Sequence, residues 1–196
     1  MKPEPAVWIV SDTHFGHDNI QKYSGRPHDH DELMVAAWKR LVKSKDVIWH
    51  LGDLMLPKWQ HKEWWQHRVA ALPGIKHLVM GNHDHRMTVT KFQQMGFEVH
   101  KKPVWFGWEE KVVVMSHGPY QGSDFFEINL HGHTHNNPFP AVMAGWPHEK
   151  LRKYRNLSVE NTNYSPVLLE DALERKVGLG PHDLGFWDMT QDPERG

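Results

Sequence analysis

Residues 7–14 read Val7-Trp8-Ile9-Val10-Ser11-Asp12-Thr13-His14. Four apolar side chains run directly into a polar block ending in groups that bind cations or move protons. The same order recurs along the chain. Val47-Ile48-Trp49 precedes Gly52-Asp53, Leu78-Val79-Met80 precedes Gly81-Asn82-His83-Asp84, and Val112-Val113-Val114-Met115 precedes His117-Gly118. Ile128-Asn129-Leu130 precedes Gly132-His133-Thr134-His135. Short apolar runs with polar punctuation read as buried strands. Ligands in layered α/β folds gather at the carboxyl ends of strands, so these five blocks predict one pocket built from distant parts of the chain.

The intervening segments supply helices. Leu33, Met34, Ala37, Trp38, Leu41 and Val42 form a helical stripe behind Asp31, a suitable N-cap. Pro57 reads as the opening of a second helix, which turns Trp65, Val69 and Leu72 inward and stops at Pro73-Gly74. Thr88 to Met95 reads as a short third helix. From Phe97 the pattern turns strand-rich, at Phe97–His100, Val104–Phe106, Lys111–Met115, Glu127–Leu130 and Asn156–Val159, which predicts a second sheet packed on the first. A last short helix is expected between Ser165 and Lys176. The fold class is α/β, with one domain over residues 1–177 and a tail over 178–196 whose strong anchors are Phe186 and Trp187 and which would dock, bridge subunits or stay mobile.

The polar blocks offer two carboxylates (Asp12, Asp53), one amide (Asn82) and four imidazoles (His14, His117, His133, His135). One ion takes about four protein ligands, so this set suits two ions sharing a carboxylate. The chain has no cysteine, which excludes a thiolate site. Mixed imidazole and carboxylate favours manganese, iron, zinc, cobalt or nickel over calcium. Two ions about 3.5–4 Å apart form a clamp for in-line displacement at phosphorus and lower the pKa of a bridging water. His83 adjoins Asn82 without being needed as a ligand and is the candidate for protonating a leaving oxygen. Asp84 is the candidate for orienting His83.

The ordered set Asp-x-His, Gly-Asp, Gly-Asn-His-Asp, His, Gly-His-x-His resembles the calcineurin-like metallophosphoesterase superfamily from Asp12 to His135. Ser11-Asp12-Thr13-His14-Phe15-Gly16-His17 with Asn19-Ile20 is similar to a compact bacterial and phage branch of it. The resemblance implies two packed sheets flanked by helices, the α-β-β-α sandwich. It implies one divalent ion held by Asp12, His14, Asp53 and His135, and a second held by Asp53, Asn82, His117 and His133, with manganese the first choice. Asp53 would bridge them, and His83 would contact the phosphate or the leaving group. The implied activity is hydrolysis of a phosphate ester by a metal-bridging hydroxide. Family habit and compact size point to a phosphodiester of small or nucleotide type. A phosphomonoesterase, a nuclease and a non-catalytic, metal-stabilised interaction scaffold are the rivals. Ser116 stands before His117 where many relatives have glycine, but the ligand itself is kept.

Around this core, His17, Asn19 and Arg26 are candidate substrate contacts. The Arg26 guanidinium matches phosphate geometry, and its plain alternative is a surface arginine in a loop. His50 and His131 read as histidines packed behind the site. His28, His30, His61, His67, His77, His85, His100, His148 and His182 read as solvated. Loops 21–31 and 136–150 read as the rim. There Phe139 and Trp146 would either stack on a base or aryl group or pack on the domain.

Composition sets outer limits. The 196 residues are 39% hydrophobic, with a net charge of −1. No apolar run approaches the ~20 residues of a membrane span. The N-terminal residues lack the apolar stretch of a secretory signal, so a cytoplasmic location is expected. A dedicated nucleic-acid binder would carry a basic excess, so nucleic acid is a possible partner that the charge does not indicate. The sequence does not determine the oligomeric state.

Overall fold

The computed structural model describes residues 5–137, 143 and 145–176. In chain order its elements are β1 (Val7–Val10), α1 (Ile20–Ser24), α2 (His30–Leu41), β2 (Val47–His50), α3 (Lys62–Ala70), β3 (Ile75–Val79), α4 (Val89–Gln94) and β4 (Phe97–His100). They continue with β5 (Val104–Trp108), β6 (Lys111–Met115), β7 (Ile128–His131), α5 (His148–Leu151), β8 (Tyr154–Asn156), β9 (Val167–Leu168) and α6 (Leu169–Leu173). The strands form two sheets, in the orders β4-β3-β2-β1-β9 and β5-β6-β7-β8. Strands β1 to β4 run parallel and β9 joins β1 antiparallel. Strands β6 to β8 are parallel, with β5 antiparallel at the edge.

The two-residue period of each strand divides the apolar side chains between layers. Trp8 and Val10 of β1 pack outward with Met34 and Trp38 of α2, Trp65 and Val69 of α3, and Phe92 of α4. Ile9 points the other way, joining Leu51, Val79, Val113, Met115 and Leu130 between the sheets. Val114 faces the outside of the second sheet, against Phe126, Leu151 and Tyr154. The result is an α-β-β-α sandwich. Each fully buried Leu, Ile or Phe contributes about 1.5–3 kcal/mol of transfer free energy, which holds short strands of four or five residues in place. Asp46 fastens the approach to β2 onto β1, accepting from Ala6 N at 3.0 Å and Trp8 Nε1 at 2.9 Å.

Several elements differ from the sequence pattern. Helix α2 starts at His30, not beyond Asp31, and Asp31 turns its carboxylate to Gly16 N at 3.1 Å. It therefore ties the helix to the loop after β1 instead of capping it. Pro57 lies before a 3-10 turn at Trp59–His61, and α3 begins only at Lys62. Strand β4 belongs to the first sheet, because α4 carries the chain back parallel to β3. The strand read at 156–159 is shifted to Tyr154–Asn156. Leu157 to Val159 instead runs past the first polar block, with Ser158 bridged to Ser11. Helix α1 and strand β9 have no counterpart in the sequence reading. The tail with Phe186 and Trp187, and Phe139 of the rim, lie outside the described residues. Among the described residues no helix is long and apolar enough to cross a membrane.

Candidate metal centre

All five polar blocks sit just past the carboxyl ends of strands: Asp12 after β1, Asp53 after β2, Asn82 after β3, His117 after β6, and His133 and His135 after β7. The loops after β1 and β2 are zipped together by Asp12 N to Gly52 O at 3.1 Å and His14 N to Asp53 O at 3.0 Å. Gly132 N donates to His117 O at 2.7 Å, joining the two loops of the second sheet in the same way.

Five of the candidate ligands have left-handed backbone: Asp12 (φ 57°), His14 (47°), Asp53 (56°), His133 (69°) and His135 (50°). Each such residue costs on the order of 1–3 kcal/mol and persists only where its surroundings over-determine it, which happens at functional sites. The glycines of the blocks serve close approach. A Cβ on Gly132 would lie 2.0 Å from Asp12 Oδ2, and one on Gly81 would lie 2.3 Å from Asp53 Oδ1.

Backbone and hydroxyl donors bind one oxygen of each carboxylate, and the other is turned to the centre. Asp12 Oδ2 accepts from His133 N at 2.8 Å and Ser158 Oγ at 3.0 Å. Asp12 Oδ1 is buried without a partner, as are both ring nitrogens of His14. Asp53 Oδ1 accepts from His83 N at 2.9 Å. Asp53 Oδ2 lies 3.5 Å from His14 Nε2 and 3.4 Å from His117 Nε2. His117 Nε2 is in turn 2.9 Å from Asn82 Oδ1 and 3.1 Å from His133 Nδ1. A cation with bonds of about 2.0–2.2 Å holds neighbouring ligand atoms about 2.9–3.6 Å apart. The donor set therefore fits metal ions, and buried polar atoms without partners are the ordinary mark of a missing ion or water.

Two groups emerge, Asp12 with His14 and His135, and Asp53 with His117 and His133; either could hold a metal ion. Ring orientation is fixed from behind. His117 Nδ1 bonds to Leu51 O at 2.8 Å and His135 Nδ1 to Glu160 Oε1 at 2.9 Å, which leaves each Nε2 facing the centre.

Electrostatics favour ligand forms for most of the set. Burial pushes the His14 imidazolium down to about 3, so this ring is neutral. Burial also lowers His133. Burial works to raise Asp12, but His117, His135 and His14 outweigh it and hold the carboxyl well below the usual carboxylate range. His117 and His135 are the exceptions. Burial disfavours the charged form of both, yet Glu160 and Asp12 raise His135, and Asp53 and Asp12 carry His117 from the ordinary 6.5 up to about 9. In the metal-free chain a proton on His117 balances the two carboxylates. A metal ion must displace that proton, so affinity is expected to rise about tenfold per pH unit between pH 7 and 9. Calorimetry in buffers of different ionisation enthalpy should detect proton release on binding; none at pH 7 would contradict this. Because its folded pKa is raised, His117 stabilises the metal-free fold fully below 6.5, and that contribution is lost as pH climbs through about 9.

The remaining candidates fall into place around the centre. The His83 side chain is 34% exposed, with Nε2 3.9 Å from Asp53 Oδ2 and its ring 5.3 Å from that of His14. Asp84 does not touch the His83 ring. Asp84 Oδ2 accepts from Asp53 N and Gly81 N, both at 2.8 Å, and Oδ1 from Leu54 N at 3.0 Å, so this carboxylate clamps two ligand loops. His17 packs edge-on to His14 at 5.8 Å, and Asn19 is exposed at the start of α1.

Arg26 is neither a surface residue nor free to clamp a phosphate. It is 4% exposed, and its guanidinium donates to Asp12 O, Thr13 O and Glu160 Oε1. His50 and His131 are buried behind the blocks, His50 against Thr13 Oγ1 at 2.9 Å. His30 is buried rather than solvated, with Nδ1 3.0 Å from Pro27 O. His77 and His100 are strand residues with partners described below. Trp146 packs on Tyr154, 5.2 Å between ring centroids.

Glu160 and Ser158 escaped the sequence reading. They follow β8, outside any polar block with ligand spacing, and nothing in their local sequence marks them.

No protein-family model matches the chain. Among proteins of known sequence, it is 26% identical to the gene 66 protein of Mycobacterium phage L5, over 74% of this chain and 83% of that protein. Among solved structures it aligns with a protein of unknown function, AQ665 from Aquifex aeolicus, at a TM-score of 0.69 and 22% identity. That alignment covers 88% of this chain and 99% of the other, and it supports the fold. The uncharacterized protein MJ1445 of Methanocaldococcus jannaschii is 31% identical over 176 residues, covering 84% of this chain and 87% of that one. The chain belongs to the same family as MJ1445.

Proposed function

We propose that this protein is a metal-dependent phosphoesterase of the calcineurin-like type, with Asp12, His14, Asp53 and His135 around one divalent ion and Asp53, Asn82, His117 and His133 around another. The observation that carries the reading is Asp53 Oδ2, 3.5 Å from His14 Nε2 of one group and 3.4 Å from His117 Nε2 of the other. A carboxylate oxygen set between two imidazole-bearing groups is the geometry of a shared ligand. When bound, the two ions supply an acidified water and neutralise charge gathering on the phosphoryl oxygens.

The chain's own residues do the rest. Asp84 and Arg26 hold the ligand loops in register from behind. Asp53 Oδ1 fixes the His83 backbone, which leaves its imidazole at the mouth of the site to donate a proton to the departing alkoxide. A cleft beside His117, lined by Lys101, Lys102 and Tyr120 among others, gives a cationic wall suited to an anionic ester.

The test is hydrolysis of paired aryl phosphate mono- and diesters by chelator-treated protein with manganese restored. Metal-dependent turnover is expected, and the ratio of the two rates reads the ester class. No turnover of either ester despite two bound ions per chain would favour a metal-stabilised scaffold. His83→Ala should lower kcat by about 10²–10⁴ on a poor leaving group, the usual range for general acid catalysis. Metal content should be unchanged. Full activity in that variant would remove His83 from the chemistry.

A further inference from the structure

We infer that His77, Glu98 and His100 form a separate binding site for a divalent transition ion such as zinc, on the first sheet. The three side chains come from adjacent strands. His77 of β3 lies opposite Glu98 of β4 in the parallel register, and His100 is two residues further along β4. The two-residue period puts all three on the face that carries Trp49 and Val79.

Their separations are those of atoms sharing a cation. His77 Nδ1 is 3.2 Å from His100 Nε2 and 3.5 Å from Glu98 Oε2, and His100 Nε2 is 3.7 Å from Glu98 Oε1. Ordinary hydrogen bonds to a carboxylate run about 2.7–3.2 Å, and neither Glu98 contact is that short. A tetrahedral ion with bonds of about 2.1 Å spaces its ligands about 3.4 Å apart, close to all three values. One ligand atom from each residue falls within 4.8 Å of the other two.

The rings are held in place before any ion arrives. Trp49 of β2 stacks on His77 with centroids 4.3 Å apart and planes 17° apart, and lies 4.9 Å from His100. Burial lowers His77, which keeps its ring in the neutral, ligating form. The histidine side chains are 16% and 23% exposed and Glu98 is 67% exposed, so an ion can enter from solvent. Two imidazoles and a carboxylate leave a fourth position for water, and ligands of this type select zinc or a neighbouring transition ion over calcium. An ion here would fasten edge strand β4 to β3.

The experiment is equilibrium dialysis of the chelator-treated full chain against zinc, followed by metal analysis and thermal unfolding. Wild type should hold one more equivalent than Glu98→Gln or His100→Gln. Asp53→Ala, which leaves these three residues intact, should keep that equivalent and its zinc-dependent rise in Tm. Adding Glu98→Gln to Asp53→Ala should abolish both. Glu98 is largely exposed, so its variant tests the ligand without threatening the fold. Equal zinc content in wild type, Glu98→Gln and His100→Gln would overturn the proposal and leave the two rings as a hydrogen-bonded pair under Trp49.

Discussion

Replacing Asp53 with alanine is expected to abolish metal-dependent hydrolysis, a loss on the order of 10³-fold or more, since metal ions supply several kcal/mol of transition-state stabilisation. The Asp53 side chain faces both ligand groups. Its Oδ2 approaches His14 Nε2 and His117 Nε2, and its Oδ1 holds His83 N. Alanine removes both functions and leaves neither ion a shared anionic ligand. Asn at this position separates charge from shape. Its carbonyl can still accept from His83 N, but the second corner becomes neutral, so Asp53→Asn should fold normally and bind metal weakly. The same substitution removes one of the two carboxylates that carry His117 up to about 9. The protons released on metal binding at pH 8 should therefore fall. Metal analysis after dialysis and calorimetry give both numbers. Two tightly held ions in Asp53→Asn would show that the carboxylate does not bridge.

Much of this arrangement is legible in the sequence because it is encoded locally. An apolar run followed at once by Asp-x-His or Gly-Asp specifies a strand and what lies at its end, and the five runs became β1, β2, β3, β6 and β7. The reason for the glycines is not legible, since only the fold shows that a Cβ on Gly81 or Gly132 would strike the carboxylates of Asp53 or Asp12. What was not legible depends on pairing between distant segments. The Phe97–His100 strand looks the same whichever sheet it joins, and only the α4 crossover puts it beside β3. That pairing also creates the His77, Glu98 and His100 group, whose members look like solvated residues when each is read alone. Asp84 sits where a partner for His83 is expected, but three backbone amides converge on it first. Arg26 and Glu160 are 134 positions apart, and a Gly-Pro-rich loop gives no sign that its arginine is buried.

That buried arginine should be among the most costly residues to remove. Arg26→Ala is expected to destabilise the fold by about 3–5 kcal/mol, the usual result of removing one partner of a buried ion pair. For a chain of this size that lowers Tm by roughly 6–20 °C. The guanidinium donates through Nε to Glu160 Oε1 at 2.8 Å, through Nη1 to Thr13 O at 2.8 Å and through Nη2 to Asp12 O at 2.6 Å. Removing it leaves two carbonyls of the first ligand block unpaired and a carboxylate 4% exposed with His135 as its remaining partner. Burial works to raise Glu160, and His135 and Arg26 together hold it below its ordinary value. Without Arg26 that balance shifts toward the neutral acid. The cost should then depend on pH, being largest above the ordinary carboxylate pKa and shrinking on acidification, where Glu160 is protonated in both folded and unfolded chains. Arg26→Lys should recover only part, because one ammonium cannot reach three acceptors set by a planar fork. Glu160→Gln in the Arg26→Ala background should cost less than in wild type, since the buried charge has already lost its counterion, and a double-mutant cycle measures that coupling. The proposed metal ligands should register the same event, because Asp12 and His135 are the residues Arg26 and Glu160 steady, and zinc or manganese affinity should fall along with stability. Arg26→Ala unfolding within about 1 kcal/mol of wild type would put the residue among exposed surface pairs, whose median worth is about 0–1 kcal/mol.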